Sequence, residues 1–106
     1  MTNNLNTAML EGSLKTNPKE RAEHKCELTI SNHKYVLKDG KYVKETSVFS
    51  VLVDGKTADT CLQILRKGSN VRVVGRLNQI VGVIGGVRHE KVYLMAEHIE
   101  FRPKGA

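Results

Sequence analysis

Ala58-Asp59-Thr60-Cys61-Leu62-Gln63-Ile64-Leu65-Arg66-Lys67-Gly68-Ser69-Asn70-Val71-Arg72-Val73-Val74-Gly75-Arg76-Leu77 is the stretch on which the fold turns. Two periodicities meet in it. Ala58, Cys61, Leu62 and Leu65 recur at i, i+3, i+4 and i+7, which lays one apolar stripe along a helix from Ala58 to Arg66. Thr57 is suited to cap its start and Gly68 its end. Arg66 and Lys67 fall in the last turn, where cations suit the helix dipole. From Asn70 the period drops to two. Val71, Val73 and Leu77 face one way, and Arg72, Val74 and Arg76 the other, which predicts a strand from Asn70 to Asn78.

Strand periodicity dominates on both sides of this stretch. Upstream, the first strand is expected from Asn6 to Leu14. Gly12 inside it marks a bulge or a sharp bend, and Asn17-Pro18 ends it. The second strand, Cys26 to Val36, sets Cys26, Leu28 and Ile30 on one face. Asp39-Gly40 tolerates the positive φ angles of a tight hairpin turn, and the third strand follows from Thr46 to Val53. Downstream come a glycine-punctuated hairpin, Gln79 to Val87, and a last strand, Lys91 to Phe101. Three strands, a short helix and two strands is the order of an all-β OB-fold. This is a five-stranded Greek-key barrel with its helix between strands three and four. The 106 residues suit one domain spanning 1–106, with an ordered core over about residues 5–102.

Composition narrows the function. Hydrophobic residues make up 40%, enough to fold. Seventeen Lys and Arg against eleven Asp and Glu leave +6, which points to a polyanionic partner or, more simply, to solubility. No run approaches the roughly 20 apolar residues of a membrane span. Met1 to Asn6 is polar and lacks the order of a signal peptide. Cys26 and Cys61 lie apart in apolar runs and are read as buried thiols in a reducing cytoplasm. His24, His33, His89 and His98 have no metal-ligand spacing and are read as incidental surface residues. Gly82-Val83-Ile84-Gly85-Gly86 lacks the Lys-Ser or Lys-Thr ending of a phosphate loop. Neither a Ser–His–Asp arrangement nor a carboxylate pair stands out. No enzyme, cofactor, metal or small-molecule substrate is implied.

Four pieces of the chain, in order, resemble bacterial single-stranded DNA-binding proteins. They are Gly12-Ser13-Leu14 with Pro18 and Arg21, Gly55-Lys56-Thr57-Ala58-Asp59, Leu65 to Leu77, and Ala96-Glu97-His98-Ile99-Glu100-Phe101. The resemblance runs from about Leu5 to Arg102. It implies an OB-fold homotetramer or homodimer in the cytoplasm, associated with the nucleoid. Such a protein wraps single-stranded DNA in replication, recombination and repair, and works beside other replication proteins.

The sequence also departs from that family. Bases there stack on aromatic side chains. Here the corresponding positions hold Val48, Asp54 and, in the hairpin, about Gly82, and there is no Trp. The acidic-tipped tail of the family, which recruits partner proteins, has no counterpart in the basic Arg102-Pro103-Lys104-Gly105-Ala106. These departures leave room for a second reading, a diverged accessory OB-fold protein of the replication-restart type acting mainly through protein contacts. An RNA-binding protein of the cold-shock type fits less well, because its aromatic strand motifs are absent.

The candidate DNA-binding set is Lys34, Tyr35, Lys41, Tyr42, Val48, Lys56, Lys67, Arg72, Arg76 and Arg88. Lys34, Lys38, Lys41 and Lys44 surround the Asp39-Gly40 turn with Tyr35 and Tyr42 among them. Charge can track a backbone while rings take the bases, although a Lys-rich hairpin also protects an edge strand. Arg72 and Arg76 share one strand face, close to Lys67, and arginine bonds phosphate bidentately or stacks on bases. A solvated outer strand face is the plainer reading of the same pair. Val48 lies between the small polar Thr46 and Ser50. Phe49, in phase with Val51 and Val53, is assigned to the core. The apolar hairpin Ile80 to Gly86 either packs on another subunit or folds back over its own barrel.

Overall fold

The computed structural model describes residues 1–102; residues 103–106, most of the basic end, lie outside the described residues. Among the described residues there are six strands and one helix: β1 (Ala8–Leu14), β2 (Lys19–Ala22), β3 (Lys25–Lys38), β4 (Lys41–Asp54), α1 (Gly55–Ile64), β5 (Asn70–Ile84) and β6 (Val87–Arg102). The strands lie in the order β1-β5-β6-β4-β3-β2, and β1 also pairs with β3. That second pairing closes β1, β5, β6, β4 and β3 into the expected five-stranded barrel. β4 and β6 run parallel at Val51↔Leu94 and Leu52↔Met95; the other pairings are antiparallel.

The inward faces meet in one core. Leu14, Cys26, Leu28, Ile30, Val51, Val53, Val71, Val73 and Leu94 are buried, as expected of residues alternating on the inner side. α1 covers one end of the barrel with Ala58 and Cys61, and Leu65 follows it inward. Cys26 and Cys61 are free and buried. Hydrogen bonding to Cys26 and burial push the Cys61 thiol up from its ordinary range.

β2 has no counterpart in the sequence reading. Lys19-Glu20-Arg21-Ala22 is exposed throughout and has no apolar alternation to betray a strand. Backbone pairing to β3 makes it one. Arg21 secures it by donating from Nε and Nη2 to Oε1 of Glu27, at 2.9 and 2.6 Å, which satisfies a buried carboxylate. Because β2 intervenes, the helix follows the fourth strand of the chain and the third of the barrel.

Several boundaries also shift. β1 starts at Ala8 rather than Asn6. Asn6 still continues its ladder through the side chain, with Nδ2 donating to the Leu77 carbonyl and Oδ1 accepting from the Leu77 N–H. The helix begins at Gly55, three residues early, behind Asp54 as N-cap, so Thr57 lies inside it and caps nothing. Gly55 has φ 73° and donates its N–H to the His24 carbonyl. That turn into the helix depends on a contact with another part of the chain. Leu65 is the C-cap, not Gly68. Gly68 instead donates to the Leu14 carbonyl at 2.8 Å. Arg66 lies past the helix, yet its guanidinium donates to the Leu62 and Leu65 carbonyls at the helix end. β4 starts at Lys41 rather than Thr46, and the stretch Gln79 to Val87 is strand up to a Gly85-Gly86 turn.

Gly12 and Gly75 sit where walls of the barrel approach closely. A Cβ on Gly12 would collide with the Ser31 carbonyl oxygen, and one on Gly75 with that of Met95. Gly12 is therefore the bend at which β1 passes between β5 and β3. Gly75 lies at the register shift between β5 and β6.

Candidate nucleic-acid interface

The β3–β4 hairpin extends past the barrel to Asp39 and Gly40, both in the left-handed region at φ 50° and 76°. Its register sets Tyr35 across from Lys44, Leu37 across from Tyr42 and His33 across from Thr46. Since Leu28, Ile30, Val51 and Val53 point into the core, alternation assigns the remaining faces. Tyr35, Leu37, Tyr42, Lys44 and Val48 belong to the outer face. Tyr35 and Tyr42 are 67% and 76% exposed and sit diagonally across the two strands. His33 Nδ1 lies 2.8 Å from the Thr46 hydroxyl on the same face.

Lys34, Lys38 and Lys41 belong to the opposite face, where Glu45 holds Lys38 at 3.1 Å and Lys34 at 3.8 Å. The lysines and rings that the sequence places in one cluster are thus divided between two sides, and only Lys44 of the four shares the side of the rings. Val48 is half-exposed. Phe49 is also half-exposed rather than core. It keeps phase with Val51 and Val53 but lies beyond the point where β4 and β6 pair. There it lines an apolar hollow with Met9, Val48, Leu77, Val92 and Tyr93.

The outer wall continues from β3 onto β1, β5 and β6. Ser31 lies beside Ser13, Glu11 beside Arg72, Asn70 beside Arg102 and Arg72 beside Glu100. A polar hollow of about 440 Å³ opens here, lined by Glu11, Gly12, Ser13, Ser31, Asn32, His33, Asn70 and Arg102. The Asn32 amide donates to the Glu11 carbonyl. Arg72 donates to Oε2 of Glu11 from Nε at 3.0 Å and Nη2 at 2.8 Å. Those hydrogen bonds, and then the Arg102 charge, hold the Glu11 carboxyl below its usual range. The same carboxylate raises the Arg72 guanidinium.

The other candidates are scattered. Arg76 is exposed on the same face of β5 as Arg72. Lys56 is exposed in the first turn of α1, and Lys67 in the turn after it, with its backbone N–H on Asn17 Oδ1. Arg88 sits far out on the β5–β6 arm, paired with Glu90 at 2.8 Å. Glu11, Asn32, Asn70 and Arg102, which line the polar hollow, are not among the residues the sequence points to. Glu11 opposite Arg72 is visible only once the β1–β5 register is known. Among the described residues no group of three His, Cys, Asp or Glu is placed to hold a metal, and no helix is long and apolar enough to cross a membrane.

A closed five-stranded barrel with one end covered by a helix defines an OB-fold. The pattern of the single-strand binding protein family matches residues 5–102, and the chain belongs to that family. It is 35% identical over 83 residues to a single-stranded DNA-binding protein of Aquifex aeolicus, which covers 76% of this chain. The match spans 56% of the Aquifex protein's length. The Plasmodium falciparum SSB in complex with ssDNA superposes with a TM-score of 0.85 at 16% identity, covering 97% of this chain and 99% of that one. A deletion mutant of the Thermus aquaticus single-stranded DNA-binding protein gives 0.82 at 23% identity, covering 95% of this chain and 52% of that one. Both likenesses show the fold.

Proposed function

We propose that this chain binds single-stranded DNA without catalysis and with little sequence preference. Bases lie on Tyr35 and Tyr42, and the backbone passes Lys44 and the polar hollow toward Arg72 and Arg102. The observation that carries this reading is the pair of exposed tyrosines on one outer face, in a chain of this family. Every base has a π-face, so rings of this kind accept any sequence. The relative from Aquifex is named for single-stranded DNA, and the Plasmodium structure holds it. The cellular role that follows is protection of single strands in replication, recombination and repair, in the cytoplasm and at the nucleoid.

With few rings and a charge of +6, phosphate contacts carry much of the affinity. Fluorescence anisotropy with labelled oligo-dT over a series of salt concentrations should therefore show log K falling with log salt by about 0.7 per phosphate neutralised. Salt-independent binding, or tighter binding to duplex, would overturn the reading.

Self-association as a dimer or tetramer belongs to the same proposal. The β5–β6 arm does not fold back over its barrel: Val83 and Ile84 are 70% and 71% exposed, and Ile80, Val81, Val87 and Val92 are about half-exposed. An apolar arm of this kind is soluble when another copy covers it. Sedimentation at micromolar concentration is expected to show a species of at least twice the 11.8 kDa chain mass. A lone monomer at that concentration would refute it.

A further inference from the structure

Around Arg72 and Arg102 the charges on the outer wall cancel. Arg72 and Arg102 supply two positive charges, and Glu11 and Glu100 return two negative ones. Oε2 of Glu11 takes both Arg72 donors and lies 3.4 Å from Nη1 of Arg102, while Arg72 Nη1 lies 3.7 Å from Glu100. All four side chains are between 38% and 52% exposed. Ion pairs that wet contribute little to stability, so the barrel does not depend on this one. The Glu11 oxygen occupies the Nε–Nη2 edge of Arg72, the edge on which arginine takes a phosphate.

We infer that Glu11 is a built-in competitor of the strand: it holds Arg72 and Arg102 in the free protein and is exchanged for phosphate oxygens on binding. The inference rests on the single-strand reading above and adds a residue that limits its affinity. The displaced carboxylate stays beside the incoming phosphate and repels it. The cost is met at every binding event, so the device favours release over residence. A contrary role is open to the same geometry, with Glu11 as a support that orients Arg72 for DNA, and the two predict opposite signs.

Glu11→Gln keeps the size of the side chain and removes its charge. Oligo-dT affinity should rise roughly three- to tenfold at low salt, the effect of one unit charge near a phosphate at high effective dielectric. The salt slope should steepen by about 0.7, one further phosphate neutralised. Stopped-flow release should slow accordingly. The gain should vanish when Arg72→Ala and Arg102→Ala are added. Glu11→Thr, a residue suited to strands, carries the same prediction should the glutamine variant fold poorly. Unchanged or weaker binding by a folded variant, with the parent binding normally, overturns the role of Glu11 alone. Failure of parent and variants alike to bind oligo-dT overturns the single-strand reading and this inference with it.

Discussion

Replacing Tyr35 and Tyr42 together by alanine is expected to weaken oligo-dT binding by roughly two orders of magnitude, at about 1–3 kcal/mol for each stacked base. The two rings stand diagonally on adjacent strands, a spacing of roughly 7–8 Å that lets one strand lay bases on both. Both are largely exposed and neither belongs to the core, so the melting temperature should hardly move. Aromatic residues are 5% of the chain and none is Trp. The loss of these two rings therefore removes a large share of any stacking. Tyr35→Phe with Tyr42→Phe keeps the π-faces and should keep most of the affinity. The check is anisotropy on all variants, with circular dichroism to confirm folding. A double alanine variant that binds like the parent would move the interface off this hairpin. Equal losses in the phenylalanine and alanine pairs would mean that the hydroxyls, not the rings, make the contact.

Gly75→Ala is expected to lower the melting temperature by roughly 10 °C. Two effects oppose each other. Alanine restricts the unfolded chain and would stabilise the fold by about 0.4–1 kcal/mol if its methyl fitted. It does not fit. The new Cβ meets the Met95 carbonyl, with the Met95 carbon and Ala96 Cα close behind. These are backbone atoms of the paired strand and cannot rotate aside as a side-chain tip would. Overpacking at such a site costs about 1–3 kcal/mol, and each 1 kcal/mol is about 4–8 °C for a domain of this size. The clash therefore outweighs the entropic gain. Thermal unfolding followed by circular dichroism checks it, and a variant as stable as the parent would show that the β5–β6 register shift can absorb the methyl.

Much of the barrel was legible because burial writes itself into the chain as alternation. Cys26, Leu28 and Ile30, then Val71 and Val73, announced inward faces two residues apart. The stripe Ala58, Cys61, Leu62 and Leu65 announced one helix among strands. Asp39-Gly40 announced a turn, because few other pairs take two positive φ angles in succession. Those signals are local, and each residue carries its own.

The rest depended on neighbours distant in sequence. β2 is a strand through backbone bonds to β3 alone, and its charged residues carry no mark of it. Phe49 keeps the phase of the core yet lies past its end, since phase reports which side a residue takes and not how far the barrel reaches. Lys34 and Tyr35 look like one cluster until the register turns them to opposite faces. Glu11 and Arg72 are 61 residues apart and meet only because β1 lies on β5. By itself the sequence determined the five barrel strands, the helix and which side of each is apolar. The fold decided which charges meet across strands, because a pairing register is a property of two segments and neither one contains it.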